Sequence, residues 1–228
     1  MTDIESRFEK FSNKLLNEII SINNNFLLYK HLLKKREDRL DAIHYANAFF
    51  SMIGEALFTD VIISLSRLYE KNYRKSYGNL YNYLDFIDTN SNLFTVDEKI
   101  RRVENIGGLE EYIKENFPSS INELIENHRN MLNDMESKID SLMTWRDKYY
   151  AHNDGKYFFE SEKLYKEVPL FYKDIEKLIH NVSMVVNAYV VQFNGKITAT
   201  TYPDVYDIDV ILDIVNEYHQ NRLREFED

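Results

Sequence analysis

Apolar residues return at three- and four-residue steps over much of this chain, and that period predicts helices. Over residues 3 to 34, Ile4, Phe8, Phe11, Leu15, Ile19, Ile22, Phe26 and Tyr29 share one apolar face. The Asn23-Asn24-Asn25 run is a weak helix former, expected to loosen the middle of this first helix. Lys34-Lys35-Arg36 closes it with positive charge, where the helix dipole favours a cation. A second helix is predicted from about Arg36 to Lys71, with Ile43, Ala46, Phe50, Ile53, Leu57, Val61, Leu65 and Leu68 on its face. Ala42, Ala46, Ala48, Gly54 and Ala56 keep its first half narrow enough for close helix packing.

Residues 72–118 are less regular. Short helices are expected over Leu80 to Ile87, Asp97 to Asn105 and Leu109 to Asn116, the last two split by Gly107-Gly108 and ended by Pro118. A third long helix then runs to about Ala151, with Ser120 and Glu123 in a capping-box pattern at its start. A fourth covers Pro169 to Gln192, Gly195 to Tyr202 reads as a short strand or an extended arm, and a last helix spans Ile208 to Phe226. The expected fold is all-α, an up-and-down four-helix bundle over residues 1–194. Residues 72–118 form an inserted short-helix lobe in it, and 195–228 form an extra C-terminal arm and helix packing on the bundle.

Composition narrows the function classes. With no cysteine among 228 residues, disulfides, thiolate metal sites and a cysteine nucleophile are excluded. Three prolines and six glycines are few, in keeping with long helices. The net charge of −10 argues against coating nucleic acid with the whole surface, because phosphate binding needs local positive charge, but it leaves room for one basic cleft. No signal peptide and no uninterrupted apolar run of about 18 residues is found, so no membrane span and a cytoplasmic protein are expected. No His-x-x-x-His pair and no phosphate-cradling glycine loop occurs, so no metal and no cofactor is expected.

The third helix holds the candidate chemistry. At about 100° per residue, Leu124, Met131, Met135, Ile139, Leu142 and Tyr149 make a tight apolar stripe, with His128 and Arg146 standing in its middle. A guanidinium on an apolar line must be paired, face a cleft or face a second subunit. His128 reads as a satisfied interior histidine. His152 would fall about 120° from Arg146 on a continuous helix. The two side chains converge only if the helix ends at Ala151, and Asn153 and Gly155 permit such a turn. The spacing alone says little: about one arginine followed four to six residues later by a histidine is expected by chance, and Arg39 to His44 is a second instance. If the third helix ends against Arg36 to Ala46, Asp60 lies about 20 residues further on, about 30 Å by helical rise, and is a poor partner for the pair unless the two helices pack parallel.

The setting says more. Arg146-Asp147-Lys148, then Ala151-His152 and Asp154, at the end of a long bundle helix, resembles the signature of the HEPN superfamily. Ser64-Leu65-Ser66-Arg67-Leu68-Tyr69-Glu70, closing the second helix, resembles the abortive-infection (AbiU-like) branch of bacterial defence proteins. The resemblance covers roughly residues 1–194. It implies a helical bundle that forms a homodimer with the arginine-histidine pair at the interface, and many such proteins are metal-independent ribonucleases acting as toxins or antiviral effectors. Carried onto this chain, it makes Arg146 and His152 the catalytic pair, with Asp147 and Asn153 as supporting residues. Asp154 stands where one branch, silenced by adenylylation, carries the tyrosine that is modified, which weighs against that control here.

The chemistry is coherent. A histidine can move the protons of 2′-OH attack and leaving-group departure, and a guanidinium can hold the phosphorane oxygens. A dimer would supply both acid and base. Arg39 is a candidate further phosphate contact, if the third helix runs antiparallel to the second and so brings its C-terminus to Arg36 to Ala46. The expected function is a metal-independent endoribonuclease of a defence or toxin–antitoxin system. RNA, with tRNA as one candidate, is the expected substrate, and an antitoxin protein a candidate partner. The alternative is a catalytically inactive HEPN-like protein that binds a nucleotide or protein partner. A plain helical scaffold, with Arg146 in an internal ion pair and His152 at a helix end, is the third reading.

Overall fold

Helix α1 (Asp3–Asp38) runs without a break, so the asparagine run does not loosen it. A few tenths of a kcal/mol of lost propensity per residue is small beside the apolar face around it, where Ile19, Ile22 and Phe26 are buried. The helix also continues past Lys34-Lys35-Arg36. The second predicted helix is two: α2 (Leu40–Tyr45) and α3 (Asn47–Tyr69), parted at Ala46 (φ −120°, ψ 39°). The computed structural model describes residues 2–71, 78–103, 120–150, 161–201 and 206–227. Among these the chain forms ten α-helices and no strand.

The chain divides into two compact units, Met1–Ile19 with Ile63–Thr200, and Ile20–Ile62 with Thr201–Asp228. Both are discontinuous because α1 and α3 each give one part to each unit. The expected boundary at residue 194 lies near the junction at Thr200, but residues 20–62 group with the C-terminal segment.

In the first unit, α4 (Leu80–Thr89), a 3₁₀ turn (Ser91–Phe94) and α5 (Val96–Val103) make up the described part of the expected lobe. The Asn79 side chain caps α4 by accepting the Asn82 N–H at 2.8 Å. Leu80, Tyr83, Leu84, Ile87, Leu93 and Phe94 are all buried, so this segment is core material. Phe8 of α1 lies at the centre of an aromatic cluster, 4.5 Å from Phe193 and 5.1 Å from Phe94 between ring centres. The predicted helix Leu109 to Asn116 lies outside the described residues.

The third long helix is also two, α6 (Ile121–Asp134) and α7 (Glu136–Trp145), parted at Met135. Ser120 is the N-cap residue but makes no side-chain cap bond, so the expected capping box is not formed. After α8 (Ser161–Glu167), which the apolar pattern did not predict, α9 (Tyr172–Asn194) begins three residues after Pro169. Asp174 accepts the Phe171 N–H at 3.0 Å at its start. Gly195 ends it at φ +74°, a left-handed position that glycine adopts without strain. The following residues are an extended arm. Asn187 of α9 stands in for a partner strand, accepting the Thr198 N–H at 2.9 Å and donating to its carbonyl at 3.1 Å.

The second unit centres on Leu32, Ala42, Ile43, Phe50 and Leu212. The break at Ala46 lets α2 and α3 both present apolar residues to that cluster. The last helix, α10 (Tyr206–Glu227), is tied down by polar contacts: Asp209 to His31 at 2.9 Å and Lys35 at 3.1 Å, and Asp213 to Arg39 at 2.8 Å. By length and composition α3 is apolar enough to cross a membrane, with a window of mean hydropathy 1.6. The test for an uninterrupted apolar run passes over it because Glu55 and Asp60 interrupt the sequence.

One charged cluster is buried in the first unit. Glu5 is 2 % exposed and binds Arg101 and Arg102, the latter at 3.0 Å. Arg102 also donates to the Leu93 carbonyl at 2.7 Å. Burial pushes the Glu5 carboxyl up, but the Thr2 backbone N–H and the two guanidiniums outweigh it and bring it down from 4.5 to about 2. A lowered folded-state value stabilises the fold fully above the ordinary carboxylate value, and that contribution is lost as pH falls through the folded value. Glu5→Gln is therefore expected to destabilise the protein at pH 7 by about 2 kcal/mol, because Arg102 loses its buried carboxylate and keeps only Glu98 at 3.3 Å and the Leu93 and Phe193 carbonyls. In urea unfolding measured from pH 6 to pH 2, the wild type should lose this contribution between about pH 4.5 and pH 2, and the variant should show a flatter profile there.

Candidate functional site

The end of α7 is organised by Trp145. Its side chain is 2 % exposed, its indole N–H donates to the Val168 carbonyl at 2.7 Å, and its ring packs edge-on against Tyr165 at 4.6 Å. The buried line along α6 and α7 is Ile125, His128, Leu132, Met135, Ile139, Leu142 and Trp145. This corrects the predicted stripe by one residue at each end. Leu124 and Met131 give way to Ile125 and Leu132, and Trp145 takes the core position assigned to Arg146. A large aromatic gains more from burial than a guanidinium can without a complete set of partners.

From Arg146 to Tyr150 the winding becomes π-helical, a local widening that often marks functional sites. The uniform 100° register therefore does not extend through the motif. Arg146 sits beside the core, 19 % exposed. Its Nε donates to Asp147 at 2.7 Å, and Nη1 lies 3.5 Å from the Glu70 carboxylate. The hydrogen bond that Asp147 accepts is the main cause of a raised guanidinium pKa, burial opposes it, and Glu70 adds to it. Arg146 is thus a fixed, permanently charged group near the surface, and a phosphate could compete for it with two partly exposed carboxylates.

Glu70 closes the α3 segment, so the two stretches that carry the family resemblance meet at this ion pair. The neighbouring charges are matched as well: Arg67 donates to Ser64 at 2.7 Å and lies 3.4 Å from Glu18, and Lys71 pairs with Glu136 at 2.5 Å. Sequence reasoning weighed Asp60 as a partner for the arginine and missed Glu70, the last residue of the Ser64 to Glu70 stretch. Asp60 instead accepts from Asn25 at 2.8 Å.

The contact also corrects a premise. The C-terminus of α7 meets the C-terminal end of α3, at Glu70. Arg39, placed near the site on that premise, belongs to the second unit and pairs with Asp213 at 2.8 Å. His152 and Asn153 lie outside the described residues. His128 is an interior histidine, as expected: its Nδ1 is 3.0 Å from the Tyr189 hydroxyl, and burial lowers its pKa below the ordinary 6.5. Among the described residues, no group of three or more His, Asp or Glu side chains could hold a metal ion.

The family model HEPN_AbiU2, described as AbiU2, matches residues 5–214. The chain belongs to the HEPN AbiU2 family. Both motif segments lie inside the matched span. No curated protein and no solved structure matches the chain.

Two substitutions separate support from chemistry in this corner. Trp145→Phe keeps an aromatic ring but leaves the Val168 carbonyl without its donor, and should cost about 1–2 kcal/mol in urea unfolding. Glu70→Gln removes one arm of a partly exposed ion pair and should cost less than about 1 kcal/mol in the same measurement.

Proposed function

We propose that this HEPN AbiU2 protein is a metal-independent endoribonuclease of a bacterial defence or toxin–antitoxin system, active as a homodimer. The observation that carries the reading is Arg146 itself: a charged guanidinium at the edge of the core, held by two partly exposed carboxylates in the segment that bears the family motif. The frame assumed is the up-and-down four-helix arrangement expected from the sequence, with a C-terminal arm and helix packed on it. The setting is cytoplasmic, the substrate is RNA with tRNA as a candidate, and an antitoxin protein is a candidate partner.

In the proposed reaction the ribose 2′-OH attacks the adjacent phosphorus while a His152 imidazole accepts its proton. The 5′ oxygen departs with a proton from the His152 of the second subunit, leaving a 2′,3′-cyclic phosphate. Arg146 binds the non-bridging oxygens as charge accumulates on them. Asp147 keeps the guanidinium aimed, and Asn153 supports the turn that would bring His152 round. Arg39 is given no role in this scheme, since the helix arrangement that suggested one is replaced by the contact at Glu70.

A second reading is a catalytically silent protein that binds a nucleotide or protein partner. It is favoured by the same contacts seen the other way: Glu70 and Asp147 together occupy the guanidinium. Cleavage of bulk RNA or tRNA in EDTA distinguishes the two. The ribonuclease reading expects cleavage by wild type, ends carrying 2′,3′-cyclic phosphate, and a loss of about 10²–10⁴-fold in Arg146→Ala and in His152→Ala. Activity lost on chelation, or equal in wild type and both variants, would sink it. Growth arrest on induction, relieved by the same substitutions, is the cellular counterpart.

A further inference from the structure

The first unit exposes few aromatic rings, and it exposes them in one place. Among its described residues, the exposed aromatic side chains are Tyr165 at 57 %, Phe171 at 56 % and Tyr172 at 45 %, all between α8 and the start of α9. The other large apolar side chains exposed in that unit, Ile4, Met184 and Ile197, lie elsewhere in the chain. The segment is fixed where it stands. Tyr165 packs edge-on against the buried Trp145, and the Val168 carbonyl accepts the indole N–H at 2.7 Å. Phe171 is the N-cap residue of α9; Asp174 accepts its N–H at 3.0 Å and is bound in turn by Lys138 of α7 at 3.3 Å. Trp145 thus anchors the segment that carries the rings, and the next residue is Arg146.

We propose that Tyr165, Phe171 and Tyr172 form a stacking platform for the bases of single-stranded RNA, beside the phosphate site at Arg146. It rests on the reading of Arg146 as a group that binds RNA phosphate. A base on Tyr165 belongs to a nucleotide close to that phosphate, and Phe171 and Tyr172 meet bases further along the strand. Every base has a π-face, so a row of exposed rings takes a strand without regard to its sequence. The bases of a duplex are hidden in their own stack, which selects a single strand.

The charges agree with this ligand. Lys163, Lys166, Lys173 and Lys177 are exposed alongside Glu162, Glu167 and Glu176, four cations to three anions, whereas the whole chain has 28 to 38. Asp174 is buried and already matched by Lys138. The rings therefore lie in a less acidic stretch of an acidic protein, which a polyanion needs. Lys173 Nζ stands 5.6 Å over the Phe171 ring, so that ring presents its face. A base can take the face while the lysine, on its flexible stem, turns to a phosphate. A protein partner fits less well, because lysine and glutamate are depleted at protein interfaces.

Binding of a fluorescent 2′-O-methyl RNA strand to the full chain in EDTA tests the platform, because the blocked 2′ oxygen separates binding from cleavage. A strand of equal length and charge with abasic sugars is the control. The wild type is expected to bind the base-bearing strand at least about 10-fold more tightly than the abasic one. Tyr165→Leu and Phe171→Leu keep apolar bulk without the ring. Each should weaken binding of the base-bearing strand about 5–30-fold and leave the abasic strand within about two-fold of wild type, and Phe171→Trp should bind both as wild type does. If the contact with Trp145 makes Tyr165→Leu fold poorly, the pair of Phe171 variants decides alone. Equal affinity of the wild type for the two strands overturns the proposal. So does a loss in the leucine variants that falls on both strands alike, or a base preference that they leave unchanged. Absence of binding to either strand also overturns it and assigns the rings to a protein partner. Arg146→Ala should weaken both strands equally, since a guanidinium reads phosphate. Unchanged binding in that variant counts against the role of Arg146 in the proposed function, while the base preference still decides the platform.

Discussion

Burial of Trp145 is the constraint from which the candidate site follows. The indole occupies the last core position of a helical line that starts at Ile125, and its N–H is satisfied by the Val168 carbonyl. With that ring fixed inside, the next residue cannot also enter the core. Arg146 is left at the edge, where the helix widens and the guanidinium meets the end of α3. The arrangement is economical in physical terms: one aromatic side chain supplies the apolar contact and the anchor, and the arginine keeps its charge without full desolvation. A permanently charged group that is mostly covered, yet paired with carboxylates that still meet solvent, can exchange one of them for a phosphate.

The same division of labour runs through the first unit. The deep charge, Glu5 with Arg102, is enclosed and further tied to the Leu93 carbonyl, so it serves the packing of α1 against the segment around α5. The pair at Arg146 has carboxylates that remain in contact with solvent. Breaking the first takes the buried carboxylate from Arg102, leaves it only the partly exposed Glu98 and is costly, whereas breaking the second exchanges one solvated partner for another. That contrast is the physical reason for reading the first as structural and the second as available for chemistry. Membership in the HEPN AbiU2 family gives the available site a context in abortive-infection defence.

Much of the helical plan was legible because apolar periodicity reports which face of a segment is buried. What it reported less well was continuity. A weak-forming asparagine run did not interrupt α1, while an ordinary alanine, Ala46, marks a break that nothing local demands. That break serves a tertiary purpose, since residues on both sides of it reach one core cluster. The capping box at Ser120 and Glu123 shows the converse, a correct local pattern whose hydrogen bond is not made. In the motif, a uniform turn per residue placed Arg146 on the core line, and a register difference of one residue gave that place to Trp145. The break at Met135 shifts which residues of the two helices face the core, and the widened winding that begins at Arg146 carries no signal in the period.

The amino-acid sequence by itself determined the all-α class, the absence of thiol chemistry and the identity of the motif, because these depend on residue type and spacing along the chain. His128 as an interior residue was legible for the same reason: it recurs in step with apolar neighbours. Only the tertiary structure decided that Glu70 is the partner of Arg146, that the C-terminal helix belongs with residues 20–62, and that the exposed Tyr165 packs against Trp145. Each of these depends on which distant segments come together. That is set by the packing of whole helix faces, and a charge or an apolar stripe on one helix carries no record of what will lie opposite it.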